Sequence, residues 1–488
     1  MGLFSRFNAV ISMAKSVVKA KNIFVVRCNY RKSYPIIVSL KRAGFRVFAG
    51  IDNDCSILTS EAFSRYVDRV VRIANPNTSE KLYIASIIKA VKTYNIDIIV
   101  PVGFTDFMLL SKYKDVLEKY TIVPVENYNK MRAVSNKWFI REIANTVGVN
   151  YPKAFLLRDS SDIRALKEFL DHVGFPVVVK GIGDNSKPSF VCSYDKLLKY
   201  VRNEDRRNVL IQEFIPGVGV GYFALSYNGD VLAEFMHRRI LEMRPLGGAS
   251  VKACSNFDCK LLELGRRMVK SIGWTGVIMI ELKKDYETGR YYLLEINPKF
   301  WGSLELAYRA GVDFPKYLVE FFLYGKKPEK YTVKNVCFSW LSSAFSSYSK
   351  YGFKTLMDIT VRILQKNPFM LDLHLMDPLN FVPKFAVINL SLLNSMFVRE
   401  SLPYINITDE LMKYLIDLEG IIVDFDGTLV KLKVPWDKVV RELRSLKLVS
   451  KGAGIMDTFY NYWINKDIDS FERMNEIVKR YEINAAKK

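Results

Sequence analysis

The sequence lacks an apolar run long enough to cross a bilayer. Its longest such run covers 14 residues, from Phe385 to Val398, and includes Asn389 and Asn394. A membrane-spanning helix needs about 20 predominantly apolar residues. No transmembrane helix is therefore expected.

Cysteine is sparse and scattered. The chain has six cysteines, of which only Cys254 and Cys259 are close together, and no second pair completes a metal site. This distribution favours a reducing cytoplasm with unpaired thiols. The sequence also lacks a zinc-finger spacing, a helix-turn-helix signature and a basic stripe interleaved with aromatic residues. Nucleic acid is therefore not expected as a partner, despite a net charge of +21.

Residues 1–21 carry basic but no acidic side chains, and their apolar residues recur at helical spacing. The pattern predicts an amphipathic N-terminal helix, and no secretory cleavage site follows it. The favoured interpretation is a helix packed against the next domain. The alternative is a weak contact with an acidic membrane surface.

Residues 22–126 alternate short β-rich runs with helical stretches, which is typical of a parallel sheet wrapped by helices. The turn after the first strand, CNYRKSYP, has none of the glycines that let a backbone approach a pyrophosphate. We therefore predict a Rossmann-like domain that does not bind NAD. Its loops, including Arg31, Ser33 and Gly103–Asp106, either present substrate or are ordinary connections.

In the next part of the chain, an apolar strand ends in Lys180 and opens into a loop rich in Gly, Asn and Ser. A lysine in this position can deliver its ammonium group to phosphate. Lys137 is a second candidate. Isolated lysines are more often surface charges, so both assignments depend on the hairpin that follows them in the chain.

That hairpin, GVIMIELKKDYETGRYYLLEINP, carries one glutamate on each of its predicted strands. If its turn is centred on position 288, Glu281 and Glu295 face each other across the ladder. Two opposed carboxylates repel and need a cation between them. Asn297 lies two residues beyond Glu295 and points to the same side. Three oxygen donors of this kind suit Mg²⁺. The alternative, two solvated glutamates, fits poorly with their apolar neighbours.

These motifs resemble the ATP-grasp superfamily, in particular its carboxylate-amine ligase and carbamoyl-phosphate-synthase-like group. The similarity extends from about Ile23 to Pro315 and is densest in NKWFIREIANTVGVNYPKAF, FPVVVKGIGDNS, QEFIPGVGVGYFAL, HRRILEMRPLGGAS and EINPKFWGSLELAYRAGVDFP. It implies an α/β and α+β chain in which MgATP binds between two lobes. A carboxylate would be activated as an acyl phosphate and transferred to an amine or similar nucleophile.

The resemblance also implies roles for individual residues. Those implied to bind ATP are Lys137, Lys180, Gly181, Ser186, Gln212, Glu213 and Phe214. Those implied to bind one or two Mg²⁺ are Glu281, Glu295 and Asn297. Arg239 and Lys299 would stabilise the transferring phosphoryl group or the acyl phosphate.

Two positions depart from the family's pattern. No acidic residue stands at Val218 or Val220 to bind the ribose hydroxyls, which puts adenosine selectivity in doubt. Position 299 is a lysine where many relatives have an arginine, and lysine cannot form the same bidentate contact with a carboxylate or phosphate.

The C-terminal part contains GIIVDFDGTLV, which resembles the opening motif of haloacid-dehalogenase-like (HAD-like) phosphatases. There Asp424 would be the nucleophile and Asp426 the general acid. Only 62 residues follow Asp426, too few for a complete core of that type. We therefore predict a truncated HAD-like segment that is inactive alone or completed by a second chain.

The predicted organisation is a helix over 1–21, a Rossmann-like pre-ATP-grasp domain over 22–126, an ATP-grasp domain over 127–325, a mostly helical extension over 326–414 and a partial HAD-like segment over 415–488. The main hypothesis is a cytoplasmic ligase with small-molecule carboxylate and amine substrates, for which a homo-oligomer is one option. The alternatives are a catalytically silent ATP-binding regulatory or scaffold protein and a bifunctional ligase and phosphatase.

Overall fold

The computed structural model describes residues 20–56, 60–158, 162–183, 188–202, 209–244, 247–351, 353–364, 370–397, 436–446 and 448, with single positions between 470 and 480. The chain divides into two compact units, 1–409 and 410–488. The predicted N-terminal helix, Ser186, Asp424 and Asp426 lie outside the described residues. Within the described ranges, no helix is both long and apolar enough to traverse a lipid bilayer.

The first sheet has four parallel strands in the order β3-β2-β1-β4. Its strands are β1 (Asn22–Val26), β2 (Arg46–Asp52), β3 (Arg69–Ile73) and β4 (Ile98–Pro101). The helices that accompany them are α1 (Ser33–Arg42), α2 (Glu80–Tyr94), α3 (Phe104–Lys112) and α4 (Lys114–Leu117). Every residue of β1 is buried, as expected for a parallel strand covered on both faces. The parallel sheet that the alternating pattern predicts is therefore present.

The second sheet is small and antiparallel, with the order β5-β8-β6-β7. Its strands are β5 (Ala154–Leu157), β6 (Val177–Gly181), β7 (Ser189–Val191) and β8 (Val209–Glu213). The helices of this region are α5 (Tyr128–Ser135), α6 (Ile140–Val147), α7 (Ile163–Val173) and α8 (Tyr194–Arg202). The sheet has a core of its own, formed by residues such as Leu166, Val179 and Ile211. Lys137 precedes α6.

The third sheet has six antiparallel strands in the order β13-β12-β9-β10-β11-β14. Its strands are β9 (Gly217–Tyr227), β10 (Asp230–Arg244), β11 (Gly247–Ser255), β12 (Gly276–Asp285), β13 (Tyr291–Asn297) and β14 (Cys337–Ser339). Asn228 and Gly229 form the turn between β9 and β10, and both have the positive φ that a type I′ hairpin turn requires. Helix α9 (Cys259–Ile272) follows β11 and is capped by Asp258.

The region after residue 325 is not purely helical. Strand β14 pairs with β11, and this pairing places Cys337 opposite Cys254, with which it forms a disulfide. Our expectation of unpaired thiols is therefore wrong for these two cysteines. A three-residue strand has too little pattern of its own to be recognised, because its stability comes from the partner strand. The remaining helices are α10 (Leu304–Arg309), α11 (Phe314–Tyr324), α12 (Leu341–Tyr348), α13 (Phe353–Leu364), α14 (Pro378–Phe397) and, in the second unit, α15 (Trp436–Ser445).

Arg31 connects the first sheet's lobe to the rest of the first unit. Its guanidinium donates to the carbonyl of Gly302 at 3.1 Å, the carbonyl of Ser250 at 2.9 Å and the hydroxyl of Ser343 at 3.0 Å. The same group lies over the ring of Trp340, 4.5 Å from its centroid. These contacts favour an ordinary structural connection over substrate presentation for Arg31.

Replacing Arg31 by alanine should lower the free energy of unfolding by about 2–4 kcal/mol, because three charge-assisted hydrogen bonds are lost together. Chemical denaturation followed by tryptophan fluorescence measures this change. Arg65→Ala is the matched control, since Arg65 is exposed and its side chain contacts the hydroxyl of Tyr66. Equal stability of the two variants would contradict the connecting role of Arg31.

Candidate active site

The hairpin formed by β12 and β13, called the acidic hairpin below, places its two strand glutamates opposite each other. Strands β12 and β13 pair Glu281 with Glu295 and Met279 with Asn297, so the predicted cross-strand pairing is confirmed. Leu282 pairs with Leu293, which leaves Leu294 as an extra residue in a β-bulge. Because directly paired residues point to the same side of a sheet, both carboxylates and the Asn297 amide share one face.

Each carboxylate contacts a cationic side chain. The Arg239 guanidinium lies 2.7 Å from Glu281 Oε2, and Lys137 Nζ lies 3.5 Å from Glu295 Oε2. Asn297 Nδ2 donates to Glu295 Oε1 at 2.9 Å. The protein's own cations therefore offset the repulsion between the opposed carboxylates.

Glycines on the neighbouring strand make room for Arg239. A Cβ atom at Gly219 would lie 2.9 Å from Arg239 Cδ, and one at Gly221 would lie 3.1 Å from His237 Nε2. The stretch PGVGVG contains the beginning of β9. Its alternating glycines allow long side chains of β10 to cross the sheet toward Glu281.

Two lysines reach the face that carries Glu281 and Glu295. They are Lys180, on β6 of the second sheet, and Lys137, just before α6. Lys180 on β6 is 7% exposed, and its Nζ donates at 3.4 Å to the carbonyl of Leu294, the bulged residue. Lys137 is 3% exposed, and its Nζ donates to the carbonyl of Gly183 at 2.6 Å. The interpretation of these lysines as surface charges is therefore wrong. Gly181, the last residue of β6, follows Lys180 directly.

Burial and neighbouring charges set the ionisation of this cluster. Burial lowers the pKa of Lys180 to about 8, although the charge of Glu295 opposes the shift. Burial alone would raise the pKa of Glu295, but Lys137 and Lys180 outweigh it and hold that pKa below its usual range. Burial raises the pKa of Glu281, because Arg239 offsets it only in part and the charge of Glu295 adds to it. The pair is thus divided into a firmly ionised carboxylate and one that protonates more readily.

The end of β8 carries three of the residues predicted to bind ATP, namely Gln212, Glu213 and Phe214. Gln212 is 2% exposed, and its Nε2 has no hydrogen-bond partner within the described structure. The backbone N–H of Glu213 donates to the carbonyl of Lys153 at 2.8 Å, so the protein itself occupies this donor. The ring of Phe214 meets that of Phe190 edge-on, with 5.9 Å between centroids.

Lys299 follows the acidic hairpin closely. Its backbone N–H donates to the carbonyl of Asn297 at 2.9 Å, and its Nζ lies 5.0 Å from the ring centroid of Phe104. Its charge also helps to lower the pKa of Glu295, after the larger effects of burial, Lys137 and Lys180. Lys299 therefore lies beside the cluster and borders the lobe of the first sheet.

Two residues of the site were missed by sequence reasoning. Glu242 Oε1 accepts from Arg239 at 3.0 Å, which gives this arginine a second carboxylate partner. His237 is buried, its Nδ1 lies 3.0 Å from Ser303 Oγ, and burial together with Arg239 lowers its pKa well below the usual range. The alternation of His237 with Arg239 along β10 was a signal that could have placed the imidazole on the same face.

The donor set fits a hard cation. The described residues contain no group of three or more His, Cys, Asp or Glu side chains that could hold a metal ion, so the predicted set is a smaller one. The predicted set has two carboxylates and one amide oxygen, which matches the preference of Mg²⁺ for few protein ligands together with waters and phosphates. The unpartnered Gln212 amide in the neighbouring sheet is a buried donor that a further acceptor would satisfy.

Comparisons with known proteins agree on the fold. Residues 207–344 match the family of ATP-grasp proteins in the biosynthetic pathway with the Ter operon. A D-aspartate ligase of Enterococcus faecium is 22% identical over 238 residues, covering 45% of this chain and 56% of that protein. The chain therefore spans little more than half the length of this curated relative.

Two solved structures have a fold similar to that of this chain. A biotin carboxylase of Campylobacter jejuni, in complex with an ATP analogue, aligns with a TM-score of 0.53 and 17% identity over 65% of this chain and 74% of that one. An N5-carboxyaminoimidazole synthetase of Staphylococcus aureus aligns with a TM-score of 0.52 and 14% identity over 67% of this chain and 84% of that one. The chain thus shares its fold with these two solved structures, and residues 207–344 carry the match to the ATP-grasp family.

Proposed function

We propose that the protein is an ATP-dependent ligase that activates a carboxylate as an acyl phosphate and transfers the acyl group to an amine or similar nucleophile. The observation that carries the proposal is the paired Glu281 and Glu295 with two buried lysines and the partly buried Arg239 around them, on an ATP-grasp fold. Opposed carboxylates beside several basic side chains form a site for a phosphorylated anion and its counter-ion.

Phosphoryl transfer requires positioning and charge neutralisation more than covalent help from the protein. Lys137 and Lys180 would bind phosphate oxygens, and the buried location of both ammonium groups strengthens such contacts. The substrate carboxylate attacks the γ-phosphorus, and ADP leaves. The amine then attacks the acyl carbon of the acyl phosphate, which expels inorganic phosphate and, after loss of a proton, gives an amide.

Arg239 and Lys299 would stabilise negative charge as it develops. Arg239 is anchored by Glu242, so its guanidinium stays in place when its contact with Glu281 changes. Glu281, Glu295 and Asn297 would hold Mg²⁺, which when bound would neutralise part of the triphosphate charge. Exclusion of water from the site protects the acyl phosphate from hydrolysis.

The finer features of the organisation belong to the same proposal. The lobe of the first sheet would be the Rossmann-like pre-ATP-grasp domain, followed by the ATP-grasp domain as far as residue 325. A HAD-like role for residues 415–488 stays a prediction, since Asp424 and Asp426 lie outside the described residues.

Incubation with ATP, Mg²⁺ and pools of amino acids and small carboxylates should release inorganic phosphate. We expect release to require both ATP and an organic acid, because the acid is the phosphoryl acceptor. A colorimetric phosphate assay measures the rate. Retained ATP binding without release from any pool would instead favour the catalytically silent ATP-binding protein.

A further inference from the structure

A cavity of about 470 Å³ lies beside the proposed active site. It is bordered by α5, with Asn129, Arg132 and Ala133 at helical spacing, by Asn136 just after that helix, and by Phe104 and Met108 of α3. Ile182 and Gly183, which follow β6, border it too. Its volume lies within the range of small-molecule sites, about 300–1,000 Å³.

The cavity adjoins two of the lysines assigned to phosphate or acyl phosphate. Gly183 contributes to its lining, and its carbonyl accepts from Lys137 Nζ at 2.6 Å. Phe104 also contributes, and its ring lies 5.0 Å from Lys299 Nζ. A molecule in the cavity can therefore extend a carboxyl group toward the phosphoryl-transfer region while its body stays between α3 and α5.

The chemistry of the lining selects the kind of molecule. Its apolar members are Phe104, Met108, Ala133, Phe139 and Ile182. Its neutral polar members are Asn129, Ser135 and Asn136. Among the described residues that line it, Arg132 is the only charged one. Its side chain is exposed, and its guanidinium lies over the ring of Tyr128 and forms no ion pair with a described carboxylate. The lining thus favours apolar surface together with an anionic group.

From this lining we infer that the cavity binds the organic-acid substrate, and that this substrate has a bulky apolar body and a second anionic group that pairs with Arg132. The inference rests on the proposed ligase function and narrows its substrate class. It disfavours very small acids such as acetate, which would leave most of the cavity's apolar wall uncovered. Arg132 would determine specificity without taking part in phosphoryl transfer.

Isothermal titration calorimetry of the full chain with phenylsuccinate and acetate tests this substrate class. Phenylsuccinate, an aromatic diacid, should bind the wild-type protein, and acetate should not. Arg132→Ala should weaken phenylsuccinate binding about tenfold, the effect of one lost charge-assisted hydrogen bond. Ala133→Trp should remove binding by filling the cavity. The affinity for ATP should stay unchanged in both variants.

The matched controls are Arg141→Ala and Ala386→Trp, which change the same residue types outside the cavity lining and should bind phenylsuccinate like the wild type. Undetectable phenylsuccinate binding by the wild type, or equal binding by Ala133→Trp and the wild type, would overturn the inference. Phosphate release driven by an organic acid and unaffected by Ala133→Trp would overturn it too, while the ligase proposal stands. Phenylsuccinate binding without phosphate release from any acid would count against the ligase proposal alone.

Discussion

Glu295→Ala should abolish ATP turnover, with a loss of at least about a thousandfold in kcat/KM. Glu295 is the carboxylate that Lys137, Lys180 and Lys299 keep ionised. Its removal takes away one of the two acidic ligands proposed for Mg²⁺ and leaves buried lysines without their counter-charge. Steady-state phosphate release, at saturating ATP and with whichever acid the wild type accepts, measures the effect.

Two further variants separate chemistry from folding. Glu295→Gln keeps the size of the side chain and a hydrogen-bonding oxygen for Asn297, so it should fold normally and still lose most of the activity. Glu287→Ala changes an exposed glutamate in the turn of the same hairpin and should leave activity unchanged. If Glu295→Ala turned over ATP at the wild-type rate, the assignment of the acidic pair would have to be abandoned.

Lys180→Met should weaken ATP binding by about a hundredfold, because a buried ammonium group is lost from the phosphate site. The pH dependence provides a second readout. Burial lowers the pKa of Lys180 to about 8, so the lysine is charged below that pH and loses its charge as the pH rises through it. Since the charged form binds phosphate, wild-type affinity should fall between about pH 7 and 9.

In Lys180→Met this fall should be absent, because affinity is already low at the lower pH. Calorimetric titration with ATP across this range compares the two proteins. Lys167→Met is the control, since Lys167 is exposed on α7 and should show the wild-type pH profile. A pH profile in Lys180→Met that parallels the wild type would assign the titration to another group.

The acidic hairpin illustrates what a local sequence pattern can predict and what it cannot. The apolar strands around Glu281 and Glu295, and the turn residues near Gly289, were sufficient to predict which carboxylates are paired, because side chains alternate with a period of two. The bulge at Leu294 was not predicted, and it presents a carbonyl to Lys180. A bulge depends on the partner strand and on what packs behind it, and neither is written in the hairpin itself.

The contacts that the sequence analysis did not predict are mainly those between residues far apart in the chain. The contact of Lys137 with Glu295 joins residues far apart in the chain, and Arg239 reaches Glu281 only because Gly219 leaves room. The disulfide between Cys254 and Cys337 depends in the same way on β14 pairing with β11. No periodic pattern records such contacts, since they arise when separate elements are packed together.

The sequence by itself determined the strand and helix types around the first two sheets, the pairing of Glu281 with Glu295 and the candidate lysines. It could do so because short-range periodicity and turn chemistry act within a few residues. The tertiary structure alone decided that Lys137 and Lys180 are buried beside those carboxylates, that Arg239 has Glu242 as a second partner, and that a cavity lies between α3 and α5. Burial and charge pairing depend on which surfaces meet, and that depends on how all the elements pack.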